Sequence, residues 1–170
     1  MKHVLSVLVN NEPGVLARVA SLFGRRNFNI DSICVGETET PGISRMIIVT
    51  SEDCRTMEQV KKQLHKLIDV IKVQELSESA MVARELMLVK VDVTPSTRSE
   101  VNGILEPFRA AVVDVSPNTV IVQATGNREK LDALVEVLHP YGIKEISRTG
   151  LTAMTRGSVK NSFIPHAAQS

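Results

Sequence analysis

Apolar residues follow two different periods along the chain, and the first half opens with a strand pattern. Residues 4–9 are almost all apolar, which predicts a short β-strand. The next block has apolar residues three and four positions apart, which predicts a helix from Gly14 to Arg26. The predicted apolar face of this helix consists of Val15, Leu16, Val19, Ala20, Leu22 and Phe23. Residues 28–37 then alternate as a second strand does.

The rest of the first half predicts a turn, a strand, a helix and a closing strand. Residues 40–42 have the composition of a turn, and residues 43–50 continue as a third strand. Thr56 and Gln59 have the spacing of a capping box at the start of the second helix. The predicted apolar face of that helix consists of Val60, Leu64, Leu67 and Ile68. Residues 70–76 then predict a fourth strand.

The second half repeats this order at an offset of roughly eighty residues. Its predicted elements are a strand at 85–93, a helix with a capping box at Thr97 and Glu100, a hairpin at 111–124, a helix capped by Asn127 and a strand at 143–147. In the ferredoxin-like plan, two helices cover one face of a four-stranded antiparallel sheet, and we expect the other face to stay uncovered.

We therefore predict an α+β protein with two tandem ferredoxin-like (βαββαβ) domains. The predicted boundaries are 1–76 for the first domain, 77–84 for a linker, 85–150 for the second domain and 151–170 for a C-terminal tail. The tail is rich in small and polar residues, so we expect it to begin ordered and to end disordered.

Composition and charge narrow the classes of function. Of the 170 residues, 43% are apolar, and no apolar run approaches the roughly twenty residues of a membrane helix, so we expect no membrane partner. Twenty basic and nineteen acidic residues leave a net charge of +1, which is too small to attract nucleic acid. The N-terminus has no signal-peptide pattern, and Cys34 and Cys54 have no metal-binding spacing. These features favour a cytoplasmic protein with two reduced thiols.

The stretch from Asn10 to Ile30 carries the most specific chemistry. Pro13 suits an early helical position, and Gly14 leaves the neighbouring backbone N–H groups uncovered by a Cβ. Such groups at a helix N-terminus can hold an anion. The same residues also fit an ordinary strand-to-helix turn without a ligand. The corresponding turn of the second half, residues 92–96, has no glycine after its proline, so we expect the anion-binding feature in the first half alone.

Enzymatic and RNA-binding functions fit the sequence less well. The four histidines are scattered, and neither a metal-binding spacing, a nucleophile elbow, a phosphate loop nor a dinucleotide fingerprint occurs. One large class of RNA-binding domains shares the predicted plan and stacks bases on aromatic residues of the sheet. The third strand here has no aromatic residue. RNA binding remains the alternative from a different class.

A module that binds a small zwitterion, such as an amino acid, fits better. Asn11 and Asn29 have amides that can donate or accept, and apolar neighbours are Val15, Leu16 and Ile30. On residue chemistry alone, Asn29 fits equally well as a polar residue that ends a turn.

Four segments together carry a resemblance to a known family. Residues 11–33, Asn-Glu-Pro-Gly-Val-Leu-Ala-Arg-Val-Ala-Ser-Leu-Phe-Gly-Arg-Arg-Asn-Phe-Asn-Ile-Asp-Ser-Ile, resemble the opening of an ACT domain, in particular that of the small regulatory subunits of acetolactate synthase. The other three matching segments, in the same order as in that family, are 62–70, 84–91 and the closing pair 148–150 with 154–157. The resemblance covers nearly the whole chain.

The resemblance implies a regulatory role and a site shared by two chains. Such a subunit is non-catalytic, forms a homodimer through its ACT domains, and binds a branched-chain amino acid, usually valine. By resemblance, the effector-binding residues are Asn11, Gly14, Val15 and Leu16 of one chain with Asn29 and Ile30 of the other. The family partner is a large catalytic subunit that carries thiamine diphosphate, magnesium and FAD, and no cofactor is expected on this chain. An ACT-type amino-acid sensor for another enzyme is the alternative within the same class.

Overall fold

The computed structural model describes residues 2–157, and these fall into two compact units. Among the described residues, the first unit contains 2–31, 35–82 and 153–157, and the second contains 32–34 and 83–152. The predicted disordered end of the tail lies outside the described residues.

The first unit has the predicted strand and helix order. Its elements are β1 (His3–Asn10), α1 (Val15–Arg25), β2 (Ser32–Glu37), β3 (Ile43–Thr50), α2 (Cys54–His65) and β4 (Val70–Glu75). The strands form a four-stranded sheet in the order β2-β3-β1-β4, and β1 is antiparallel to both β3 and β4. The α+β, βαββαβ prediction is confirmed for this unit.

The second unit repeats the plan. Its elements are β5 (Met81–Asp92), α3 (Thr97–Leu105), β6 (Ala111–Val115), β7 (Thr119–Gly126), α4 (Arg128–Leu138), a 3-10 turn (His139–Tyr141) and β8 (Ile143–Arg148). An additional strand, β9 (Thr152–Thr155), follows, and all of it except Thr152 lies in the range of the first unit. The sheet order is β6-β7-β5-β8, and β9 also pairs with β5. β5 begins at Met81, inside the segment predicted as a linker, because its strand pairing extends beyond the alternating apolar core.

The two central strands differ in burial. Every residue of β1 from His3 to Val9 is buried, so the predicted uncovered sheet face is wrong for the first unit. A continuous apolar run is typical of a strand that is buried on both faces. In β5, Met87, Val89 and Val91 are buried and the residues between them are more exposed. The central strand of the second sheet therefore alternates between buried and more exposed residues, as was expected for both sheets.

Several predicted apolar positions and helix ends are also wrong. Val15, Val19, Leu22 and Phe23 of α1 are buried, but Leu16 is 48% exposed. Ala20 is exposed as well, because the helix buries only a narrow stripe of its surface. Ile68, predicted on α2, follows the helix and is 93% exposed.

The predicted N-cap residue is correct for α4 and wrong for α2. Asn127 caps α4 as predicted, since its side chain accepts a hydrogen bond from the Lys130 N–H at 2.9 Å. For α2 the predicted Thr56 cap is wrong, because the Asp53 carboxylate accepts the Thr56 N–H at 2.7 Å. That hydrogen bond lowers the pKa of Asp53 below its usual value. An ionised carboxylate one turn earlier is the stronger acceptor.

Candidate functional site

The turn between β1 and α1 is built around Gly14. This residue is the N-cap of α1 and has a φ of +85°, a left-handed conformation that favours glycine. The Glu12 N–H donates to the Asn10 carbonyl at 3.0 Å, and the Val15 N–H reaches the Glu12 carbonyl at 3.4 Å. The turn therefore closes on its own backbone, without a side-chain cap for the helix.

Three backbone donors at this helix end have no protein acceptor. Within residues 2–157, the N–H groups of Gly14, Leu16 and Ala17 donate to no backbone or side-chain oxygen. The four first N–H groups of a helix need a side chain, water or a ligand as partner. The helix dipole makes this position favourable for an anion. A carboxylate is thus the ligand group that the turn can accept.

Asn11 lies beside this turn and connects it to the end of β2. Its N–H donates to the Gly42 carbonyl at 2.9 Å, and its side-chain amide donates to the Glu37 carboxylate at 3.3 Å. Asn11 is exposed, and its amide oxygen faces no donor among the described residues. Of the two apolar candidates, the Val15 side chain is only 3% exposed, so it packs in the core, and Leu16 alone presents its side chain outward.

Asn29 and Ile30 lie at the opposite end of α1. The helix has 11 residues, which corresponds to about 16 Å, so one chain does not bring these residues to Gly14. The Asn29 N–H donates to the Glu52 carboxylate at 3.1 Å, and its amide donates to Asp31 at 3.0 Å. These two hydrogen bonds hold Asn29 in the loop between α1 and β2.

The structure adds an ion pair that the sequence pattern does not single out. The Arg18 guanidinium donates from Nε to Oδ2 of Asp69 at 2.8 Å, and its Nη2 lies 2.6 Å from the same oxygen. An ideal Cβ built on Gly14 would lie 3.1 Å from Nη1 of Arg18, so the guanidinium packs directly against the turn. Fifty-one residues separate the two partners, so only the fold brings them together.

In the corresponding turn of the second unit, hydroxyl groups satisfy part of the backbone donors. The Thr94 N–H donates to the Thr97 hydroxyl at 2.8 Å, and the Thr97 N–H donates to the Thr94 hydroxyl at 3.2 Å. These reciprocal bonds form a capping arrangement that starts at Thr94 and not, as predicted, at Thr97 with Glu100. Hydroxyl groups and the Thr94 carbonyl therefore satisfy this turn in part, and within residues 2–157 the N–H groups of Ser96 and Ser99 have no acceptor.

The described residues include no group of three or more His, Cys, Asp or Glu side chains placed to hold a metal ion. Across the same part of the chain, none of the helices is both long and apolar enough to cross a membrane.

Two family models match the two halves of the chain. Residues 5–72 match the ACT domain of acetohydroxyacid synthase small subunits, and residues 84–157 match the model described as the small subunit of acetolactate synthase. The first unit is therefore an ACT domain, which places the chain in the class of ACT-domain proteins.

Full-length relatives identify the family within that class. The chain is 53% identical to the acetolactate synthase small subunit of Bacillus subtilis, over 93% of this chain and 92% of the relative. It is 55% identical to the probable small subunit of Methanothermobacter thermautotrophicus, over 92% and 94%. The crystal structure of the Thermotoga maritima small subunit superposes with a TM-score of 0.86 at 44% identity, covering 94% of this chain and 99% of that one. The chain belongs to the acetolactate synthase small subunit family, whose members are regulatory and imply a catalytic partner subunit.

Proposed function

We propose that this chain stimulates the catalytic subunit of acetolactate synthase and makes it sensitive to feedback inhibition by valine. The observation that carries the proposal is the set of open N–H groups at Gly14, Leu16 and Ala17, at the exposed start of α1. The effector is an α-amino acid because its carboxylate fits this set of donors.

The neighbouring residues supply the other groups that an amino acid needs. The amide oxygen of Asn11 can accept a hydrogen bond from the effector ammonium group. The Leu16 side chain offers an apolar surface next to the donors. Val15 contributes through its backbone position, since its side chain is buried. A branched aliphatic side chain is the expected third feature of the ligand.

A second copy of the chain would complete the site. β2 is an edge strand, and its last residues, Val35 to Glu37, are exposed. In an antiparallel two-fold pairing of β2 with itself, the start of one strand lies opposite the end of the other. Ser32 of the second copy would then lie beside Glu37, to which Asn11 donates. This pairing would bring Asn29 and Ile30 of the second copy towards the Gly14 turn.

Regulation follows if the effector bridges the two chains. Its binding free energy then differs between arrangements of the dimer, and this difference is passed to the partner subunit. Affinities in the micromolar to millimolar range correspond to roughly 4 to 8 kcal/mol, of which about 1 to 3 kcal/mol suffices for the coupling. The catalytic chemistry, with thiamine diphosphate, magnesium and FAD, belongs to the partner subunit in this proposal.

Reconstitution with a purified catalytic subunit tests the proposal. Acetolactate formation is measured with and without this chain, across a titration of valine, leucine and isoleucine. We expect higher activity with the chain present, and inhibition by valine only in its presence. A catalytic subunit that gains neither activity nor valine sensitivity would contradict the proposal. Binding of valine to the chain without any effect on this synthase would favour an amino-acid sensor for another enzyme.

A further inference from the structure

The turn that joins α2 to β4 holds a large apolar residue in solvent. Ile68 is 93% exposed. The Val70 N–H donates to the Leu67 carbonyl at 3.1 Å, which makes residues 67–70 a tight turn with Ile68 near its tip. Ile71, which follows in β4, is also exposed. A large aliphatic side chain that a closed turn presents to solvent is suited to insertion into an apolar pocket of a partner.

The same turn is tied to the proposed effector site through Asp69. The Asn10 N–H donates to the Asp69 carbonyl at 2.9 Å, and Arg18 pairs with the Asp69 carboxylate. Asn10 enters the Gly14 turn, and Arg18 packs against Gly14. The residue next to Ile68 therefore contacts the effector turn from both its backbone and its side chain. A change in the conformation of the Gly14 turn can therefore reach Ile68 through these two contacts with Asp69.

Basic side chains without intramolecular anions lie at the end of α2, which Ile68 follows by three residues. Lys62 and Lys66 are one helical turn apart at the end of α2 and are exposed. Together with Arg26 and His65 they line one shallow cavity of about 360 Å³. Within the described part of the chain, none of these four forms an ion pair with a carboxylate. The patch is complementary to an acidic surface.

We propose that this patch, with Ile68 at its tip and Lys62 and Lys66 at its rim, is where the chain contacts the catalytic subunit. The fitting partner surface is an apolar pocket bordered by carboxylates. The Asp69–Arg18 ion pair couples this contact to the effector turn, and this second part rests on the proposed valine site.

The sheet order favours the catalytic subunit over a second copy as the occupant. β2 and β4 lie at opposite edges of the first sheet, so a dimer paired through β2 leaves the turn before β4 free. Two copies of the patch would also bring like charges together, which opposes self-association at this surface.

Ile68→Asp tests the contact. With purified catalytic subunit, we expect its affinity to fall at least tenfold, while valine binding by calorimetry and the thermal unfolding midpoint of the free chain stay unchanged. The matched control is Val137→Asp, which replaces an exposed aliphatic residue of α4 and should leave the affinity unchanged. Wild-type affinity of the Ile68→Asp chain would overturn the contact, as would a change in its oligomeric state, which would make the patch a contact between copies.

Asp69→Ala tests the coupling. We expect valine to bind within threefold of the wild-type affinity and stimulation to persist, while the fraction of activity removed by saturating valine falls at least twofold. Asp69→Glu, which keeps a carboxylate for Arg18, should restore part of the inhibition. Full inhibition of the Asp69→Ala enzyme would overturn the coupling, and so would loss of valine binding. A wild-type chain that binds no valine would overturn the proposed effector site instead, and the Ile68 contact would still be decided by affinity.

Discussion

The two strand-to-helix turns of this chain occupy equivalent positions in the two units. They differ in how the backbone N–H groups at the helix start are satisfied. In the first unit, Gly14 adopts a left-handed conformation, and the N–H groups of Gly14, Leu16 and Ala17 have no protein acceptor within the described residues. In the second unit, Thr94 and Thr97 satisfy each other's N–H groups through their hydroxyls. The difference is that hydroxyl groups cap part of the second turn, whereas the first turn has no side-chain cap and a left-handed glycine without a Cβ.

A second comparison concerns the buried charges at the same place in each sheet. In the first unit, Glu75 lies 2.5 Å from Nδ1 of His3 and 2.9 Å from Nζ of Lys61. Glu75 pairs across the sheet with Leu5, and its counterpart Arg148 pairs with Met87.

In the second unit the signs are reversed at these positions. Arg148 lies 2.7 Å from Asp132 of α4 and 3.7 Å from the buried Glu85 of β5. Each unit therefore ties its central strand, its last strand and its second helix together through polar side chains, although no side chain is shared. The ion pair between the last strand and the second helix occurs in both units, but the acidic and basic partners have changed places. The two units therefore repeat the position of this ion pair and not its residue types.

Among the predicted changes, Gly14→Asp in the first turn should have the largest effect. The new carboxylate competes for the open amides, and any Cβ at this φ is strained, so the turn becomes as closed as that of the second unit. We expect valine sensitivity of the reconstituted enzyme to fall at least a hundredfold, roughly 2.7 kcal/mol, while stimulation survives. Valine titrations of activity measure this.

Gly14→Ala separates strain from charge in the same assay. It introduces the Cβ without the carboxylate and should retain more valine sensitivity than Gly14→Asp. Unchanged valine sensitivity of the Gly14→Asp enzyme would remove Gly14 from the site.

The buried carboxylate of the first unit predicts a specific pH dependence. Burial raises the pKa of Glu75, but hydrogen bonds from His3 and Lys61 outweigh this and lower the pKa to about 2. The stabilisation is therefore present above the unfolded pKa near 4.5 and is lost as pH falls towards about 2.

Glu75→Gln should then lower the free energy of unfolding by about 2 kcal/mol between pH 5 and 7. The difference from wild type should shrink below about pH 4.5, which urea unfolding at several pH values can measure. Glu58→Gln, at an exposed partner of the same Lys61, is the control and should cost less. A difference that stays constant down to pH 3 would contradict the assigned direction.

Mixing two defective chains tests whether the site belongs to two copies. Asn29→Ala alone should weaken valine binding about tenfold without loss of the partner subunit. In a dimer of an Asn29→Ala chain with a Gly14→Asp chain, one site has both defects and the other has none. Co-expression should therefore restore about a quarter of all sites by calorimetry. No restoration, with both chains present in mixed dimers, would place the site within one chain.

The smallest predicted effect concerns the closed turn of the second unit. Thr94→Ala removes the hydroxyl that accepts the Thr97 N–H, and should lower the free energy of unfolding by about 1 kcal/mol. Thermal or urea unfolding measures this, and valine binding should not change. Ser99→Ala, at an exposed position of α3, is the control and should be neutral. Equal stability of the Thr94→Ala and wild-type chains would show that the reciprocal bonds contribute nothing.

Local patterns in the sequence were sufficient for the order of elements from β1 to β8. The Asn127 cap and four of the six predicted apolar positions of α1 are properties of neighbouring residues, and they are found as predicted. The left-handed Gly14 is equally local, since the residue type and the helix that follows define it. By itself, therefore, the sequence determined the doubled βαββαβ plan and placed a glycine at the start of the first helix only.

Only the tertiary structure decided which side chains surround that turn. Asp69 reaches Arg18 across fifty-one residues, and no periodic pattern encodes such a contact. Gly14 precedes α1 and Asn29 follows it, and the 11 residues of that helix span about 16 Å. The physical reason is that helix and strand patterns depend on residues a few positions apart. Ion pairs and burial depend on which distant segments the sheet brings together.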